Sequence, residues 1–320
     1  MRKRPIKEAI IENMLLVCTV VGSLIIFFVM FFIFSKGLPV LQASGLSFFT
    51  TGGWDKTFSA SWSAAPGKTN WQYGAVELIA GTVLTSVGAL LLAVLLGMGC
   101  AVFLTEYCPG RLRRPVEAAV QLLAGVPPVI YGVVGLTVVV PLVKSLISND
   151  LAKQMVKICI LDGTSLLAGI IVLGVMITPT FVILATDALE AVPATYRAAS
   201  LALGVSHWRT IVKIIIPVAR RGIMAAGILA AGVAVGEFVA MAMVAGGVAF
   251  LPNPAHGLVF FLEPVRTLAA NIFINNQVLG RKDMEAALFA CASVILFICI
   301  ALSLLAQLIN RINLKGGRPR

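Results

Sequence analysis

The segment Tyr196-Arg197-Ala198-Ala199-Ser200-Leu201-Ala202-Leu203-Gly204-Val205-Ser206, followed by Ile214-Ile215-Ile216-Pro217, decides how this chain is read, because long apolar stretches flank it on both sides. Pro193 opens a helix-favouring run, at a position where a missing N–H costs nothing. Ala198, Ala199 and Ala202 give that helix a face of small residues, open to close approach by another protein. Gly204 ends the run, since glycine takes up the left-handed conformation of a helix terminus without a Cβ penalty. A second amphipathic stretch starts near Ser206. In it Ile211, Ile214 and Ile215 recur at helical spacing against Arg209, Lys213 and Arg220, until Pro217 bends the chain into the next apolar stretch. The plainer reading is an alanine-rich linker.

Working outward, six stretches are almost free of charge: 13–35, 78–105, 118–143, 163–186, 222–262 with one glutamate, and 286–310. Each supplies the roughly 20 apolar residues that cross a hydrocarbon core. A soluble fold of 320 residues exposes far more charge than the 12% found here. The 222–262 stretch is too long for one upright helix and contains Pro252 and Pro254, so the fifth span is expected to end near Gly246, with an outer loop or re-entrant piece after it.

Net charge +11 would suit nucleic acid if the basic residues were gathered, but they are dispersed. Segments 1–12, 105–117, 187–221 and 311–320 hold 16 of the 25 Lys and Arg residues, the pattern of cytoplasmic loops with both termini inside. Nucleic acid is therefore not an expected partner; membrane lipid is. The basic N-terminus followed by an apolar run to Ser35 exceeds a cleavable signal core and reads as a retained span. Six cysteines without Cys-x-x-Cys spacing imply neither a disulfide framework nor a zinc site. The two histidines, His207 and His256, form no catalytic or metal motif, and His207 reads as a solvated helix residue. Gly67-Lys68-Thr69 looks like the end of a phosphate loop, but Trp62 occupies the place of its first glycine. No enzyme chemistry, cofactor or metal is expected.

The 196–217 segment resembles the EAA loop of ABC-importer permeases, the cytoplasmic hairpin through which an ATPase drives the membrane subunit. Further matches follow in order: Tyr73-Gly74; Gly81-Thr82-Val83-Leu84-Thr85-Ser86; Leu104-Thr105-Glu106-Tyr107; Gly125-Val126-Pro127-Pro128-Val129-Ile130-Tyr131-Gly132; Gly232-Val233-Ala234-Val235-Gly236-Glu237; and Pro264-Val265-Arg266-Thr267-Leu268. Together they resemble the C-type subunit of phosphate-importer permeases. Two departures stand out. The glutamate of the EAA motif is Ala198 and its last alanine is Ser200. In the fifth span the family's arginine and threonine are Val233 and Phe238.

The resemblance implies an all-α polytopic membrane protein with six transmembrane helices and the type I ABC importer permease fold. Residues 1–76 are a first helix and an outer loop, with Trp54, Trp62 and Trp71 expected at the membrane interface. Residues 77–310 are the permease domain, with its coupling hairpin at 187–221, and 311–320 a cytoplasmic tail. The implied partners are a second homologous permease, an ABC ATPase dimer that hydrolyses ATP, and an extracytoplasmic binding protein delivering phosphate or a related oxyanion such as molybdate or tungstate. An ATPase-independent channel or carrier would lack the hairpin. Arg197, Ala198, Ala199, Ser200, Gly204 and Pro217 are the coupling residues.

Glu237 and Arg266 are the candidates for the path. About 24 Å along a helix from Arg221, Glu237 lies toward the outer side of the core. An ionisable group there needs a partner or water. Glu237 either lines the path or ties two helices together, with a partner expected from another helix or subunit. Arg266 either lies at the outer mouth or faces lipid at the interface. Pro127, Pro128 and Pro179 should kink or break their helices. Gly232-x-x-x-Gly236, Gly97, Gly99, Gly169 and Gly174 should permit close helix packing.

Overall fold

Six apolar helices dominate the computed structural model, which describes residues 6–65, 69–156, 158–278 and 280–311. The spans are Ile11–Ser44, Val76–Tyr107, Pro128–Ser145, Leu166–Glu190, His207–Gly236 and Lys282–Leu308. Shorter helices connect them, and no β-strand occurs among the described residues. Residues 1–5, the Gly67-Lys68 pair and the tail from residue 312 lie outside the described residues.

Two span boundaries differ from expectation. The apolar stretch 118–143 is not one helix: Gly110–Ala124 forms a separate amphipathic helix, and span 3 restarts at Pro128. Pro127, at φ −58° and ψ 138°, realises the expected break. The Gly110–Ala124 helix docks on the end of span 4, where Arg113 bonds Glu117 Oε1 at 2.7 Å and pairs with Glu190. Span 5 ends at Gly236 rather than near Gly246, and a short helix, Val239–Val244, follows the break.

Proline shapes the spans through π turns. Segments Phe103–Tyr107, Gly135–Val139 and Ile211–Ile215 are π-helical, and in each case a proline (Pro109, Pro141, Pro217) follows two residues after the turn. A proline cannot donate to the carbonyl four residues back and crowds it, and the wider turn relieves both problems. The helix therefore runs continuously through Pro217, which lies inside span 5 and not at its entrance. Span 4 likewise runs unbroken through the buried Pro179, contrary to a break at that position.

Glycine sets the closest helix contacts. A Cβ on Gly97 would stand 2.6 Å from Phe181, and one on Gly174 would stand 2.7 Å from Leu92, so spans 2 and 4 pack with small residues at their seam. At Gly37 the backbone of Phe289 and Ala290 lies 2.8 Å from where a Cβ would be, which brings spans 1 and 6 into contact. Gly99, Gly232 and Gly236 meet nothing within 4 Å among the described residues, so they show no packing role there.

The outer segment is part of the core. Trp54 is fully buried with Phe48, Tyr73, Leu268 and Met284, which corrects its placement at the membrane interface, whereas Trp62 is exposed. Glu77 accepts from the amides of Gly53 (2.7 Å) and Trp54 (3.2 Å), capping the helix Trp54–Ser63 from the start of span 2. Burial pushes the Tyr73 phenol up, so it stays the neutral donor to Ser61 Oγ at 3.0 Å.

Candidate functional site

The hairpin is built by local backbone chemistry. Helix Ala194–Ala202 begins directly after Pro193. It ends in a left-handed residue, Gly204, at φ 76°. The Gly204 amide donates to Leu201 O at 3.0 Å and the Val205 amide to Ser200 O at 3.3 Å, the paired bonds of a Schellman terminus. Helix His207–Thr210 then starts after Ser206 and runs into span 5. Ser200, where the family has alanine, is buried, and its Oγ lies 2.8 Å from Thr210 Oγ1, joining the two arms. Ala198, Ala199, Ala202 and Gly204 are exposed along the tip. Leu203 is 84% and Trp208 61% exposed, an apolar tip left uncovered by the described residues.

Arg197 fastens the hairpin to the bundle. Its Nε and Nη2 reach Glu106 Oε1 at 2.9 and 2.7 Å, and its Nη atoms donate to Val192 O (2.9 Å) and Leu189 O (3.2 Å) at the end of span 4. Glu106 sits in the π turn that ends span 2, with its side chain only 4% exposed. His207 Nε2 stands 3.5 Å from its other oxygen, and the His207 ring meets Tyr107 edge-on, so this histidine is not simply solvated. Sequence reading quoted Glu106 within a motif without giving it a role. Its signal was a carboxylate placed immediately after an uncharged span.

Glu237 occupies the helix break itself. Its backbone is extended (φ −73°, ψ 123°), and its Oε1 accepts from the amides of Val239 (2.9 Å) and Ala240 (3.1 Å). Within this chain the partner is the start of the short helix Val239–Val244, which follows directly in sequence. The carboxylate satisfies amides that the interrupted ladder leaves open.

Arg266 is 9% exposed and does not face lipid. It bonds Asp55 Oδ1 at 2.7 Å and Asn271 Oδ1 at 3.2 Å, and Gly247 O receives two further donations from it. Asp55 Oδ2 accepts from the Ala249 amide at 3.0 Å, so one ion pair ties the Trp54–Ser63 helix to the returning outer segment. That segment is stitched inward by Val265 N to Ala245 O (2.7 Å) and Leu166 N to Glu263 O (2.9 Å). Among the described residues no group of His, Cys, Asp and Glu could hold a metal ion.

The geometry combines a cytoplasm-type hairpin pinned to two span ends with a broken fifth span below a locked outer cap. Comparison with known proteins identifies the family. The family described as binding-protein-dependent transport system inner membrane component matches residues 93–312. The phosphate transport system permease protein PstC of Mesorhizobium japonicum is 32% identical over 296 residues, covering 89% of this chain and 84% of its own. The probable ABC transporter permease protein YqgH of Bacillus subtilis is 34% identical over 236 residues, covering 73% and 70%. Among solved structures, a chain of the MetNI methionine ABC transporter in inward-facing conformations shares the fold, with TM-score 0.50 and 19% identity over 72% of this chain and 93% of that one. Six apolar spans and a family match over more than half its length make this chain a multi-pass permease of the binding-protein-dependent transport system inner membrane component family.

Proposed function

We propose that this chain is the C-type permease subunit of an ATP-driven importer for inorganic phosphate. The observation that carries the reading is the similarity to PstC of Mesorhizobium japonicum across 89% of the chain. On this reading a second homologous permease completes the path, an ATPase dimer binds beneath it, and an extracytoplasmic binding protein delivers solute from above. Both termini lie in the cytoplasm, in line with the distribution of basic residues. The chain is not itself catalytic. ATP is hydrolysed by the partner.

The exposed tip around Ala198, Ala199 and Leu203 is the docking face for the ATPase, with Gly204 holding the turn and Ser200 bracing it. Movement of the tip passes through Arg197 to the ends of spans 2 and 4, and along the continuous helix past Pro217 into span 5. The open face of span 5, with Gly232, Gly236 and the 46%-exposed Val233, borders the path or the second permease. Glu237 shapes that wall by holding the helix break. Arg266 has its donors engaged by protein, so it fixes the outer mouth and does not itself bind solute. With valine at 233, a cation for the oxyanion comes from the second permease.

Uptake of radiolabelled phosphate by vesicles holding both permeases, the ATPase and the binding protein tests this. ATP-dependent accumulation of phosphate is expected. Transport of molybdate or tungstate without phosphate would reassign the solute and keep the importer, whereas uptake independent of ATP would refute both.

A further inference from the structure

A cleft of about 190 Å³ opens between spans 1 and 6 on the side of the molecule that carries the outer segment, and charged side chains line it. Spans 1 and 6 touch at Gly37 and the cleft lies beside that contact. Lys36, Trp71, Lys282 and Glu285 line it. Lys36 is the first charged residue after the apolar run of span 1, which places it where hydrocarbon gives way to headgroups. Its ammonium lies 5.8 Å from the centre of the Phe32 ring, one turn deeper, and Phe32 meets Phe289 of span 6 edge-on at 5.7 Å. Trp71 donates its indole N–H to Thr69 Oγ1 at 3.1 Å, a ring held at the rim.

The charges do not cancel. Glu285 stands 3.7 Å from Lys36, a long and half-exposed pair, and Lys282 has no carboxylate partner among the described residues. Two ammonium groups and one carboxylate leave the cleft with one positive charge, next to the aromatic pair Phe32 and Phe289 one turn further into the spans.

We propose that this cleft binds an anionic glycerophospholipid, with its phosphodiester between Lys36 and Lys282 and one chain lying along Phe32 and Phe289. A free phosphate ion would satisfy the lysines but has no use for the neighbouring aromatic pair, whose Phe32 is 42% exposed, and the position at the end of an apolar span is reached from the bilayer. The site is independent of the transported solute.

The test is fluorescence of the full-length chain in phosphatidylcholine nanodiscs titrated with brominated phosphatidylglycerol or brominated phosphatidylcholine. The difference between wild type and Trp71→Phe isolates quenching at Trp71. Each basic group at an anionic lipid surface shifts partitioning about fivefold, so a preference for phosphatidylglycerol of about that size is expected at Trp71. It should fall to no preference in Lys36→Gln/Lys282→Gln, and millimolar inorganic phosphate should leave it unchanged. Equal quenching by both lipids in the wild type, or a preference that survives the double substitution, overturns the proposal. Displacement by inorganic phosphate overturns it too, because the site would then be an ion site. Loss of the preference when the second permease and ATPase are assembled would show the cleft to be a protein contact and would equally overturn it.

Discussion

Arg197→Ala removes the fastening between the hairpin and the bundle, and its effect follows from where each partner sits. Glu106 has a side chain 4% exposed, while Arg197 is 25% exposed. Breaking a buried ion pair by deleting one partner costs about 3–5 kcal/mol when the survivor is left without water. Access of water to the Arg197 side lowers that to about 2–3 kcal/mol for Arg197→Ala, which strands the buried carboxylate and frees the carbonyls of Val192 and Leu189. Glu106→Ala leaves a guanidinium that still bonds those two carbonyls and reaches solvent, so it should cost less, about 1–2 kcal/mol.

The double substitution removes both charges and should be less destabilised than the sum of the singles by about 1–2 kcal/mol. Reversible unfolding in mixed micelles, read by helicity, gives the four free energies of the cycle. The functional companion is the ratio of solute imported to ATP hydrolysed, which should fall in Arg197→Ala. Equal losses in both singles with full additivity would refute the pairing, and an unchanged transport ratio would refute its role in coupling.

Gly204→Val places a β-branched residue at φ 76° with open space around it, so the penalty of about 1–3 kcal/mol is conformational, and uptake should drop while ATP hydrolysis persists. Normal uptake in that variant, or a crosslinking map with no contact between Ala202 and the ATPase, would sink the docking assignment. Gly81→Ala forces a methyl to 2.4 Å from Arg266 O, a backbone atom that has little room to move, and should lower the melting temperature at a cost of about 1–3 kcal/mol. Asp55→Ala strips Arg266 of its carboxylate and Ala249 of its acceptor, so limited proteolysis should cut the 247–263 segment faster than in wild type. Glu237→Gln keeps an oxygen for the Val239 and Ala240 amides and should assemble normally with reduced uptake, whereas Glu237→Ala should reduce the amount of assembled permease. Full assembly of the alanine variant would end the capping role.

What the sequence revealed and what it hid divide along the range of the interaction. The six spans and the turn at Gly204 were legible because apolar length and a positive φ are demands made by a few adjacent residues. The start of span 3 was written just as locally, in Pro127-Pro128, but the apolar residues of 118–126 outweighed it in a reading by hydropathy alone. The break after Gly236 also had a local sign, a carboxylate two and three residues before the amides it caps, hidden because an uninterrupted apolar run suggests an uninterrupted helix.

Asp55 and Arg266 are different, being 211 residues apart, as are Arg197 and Glu106 at 91. Nothing near either member names the other. What the sequence does supply is the obligation: a charge at the edge of an apolar span is too costly to leave unpaired once buried. Arg197, Glu106 and Arg266 each stand in a quoted motif, and only the fold shows that Arg197 and Glu106 pair with each other, while Arg266 finds Asp55 in the helix Trp54–Ser63, within a segment expected to be a loop. The Arg197–Glu106 pair fastens the hairpin, and the Asp55–Arg266 pair fastens the Trp54–Ser63 helix to the segment that follows span 5. These two ion pairs therefore sit at opposite ends of span 2, with Glu106 in the turn that closes it and the Arg266 carbonyl against Gly81 near its start, so the fold is fastened at both ends of the bundle.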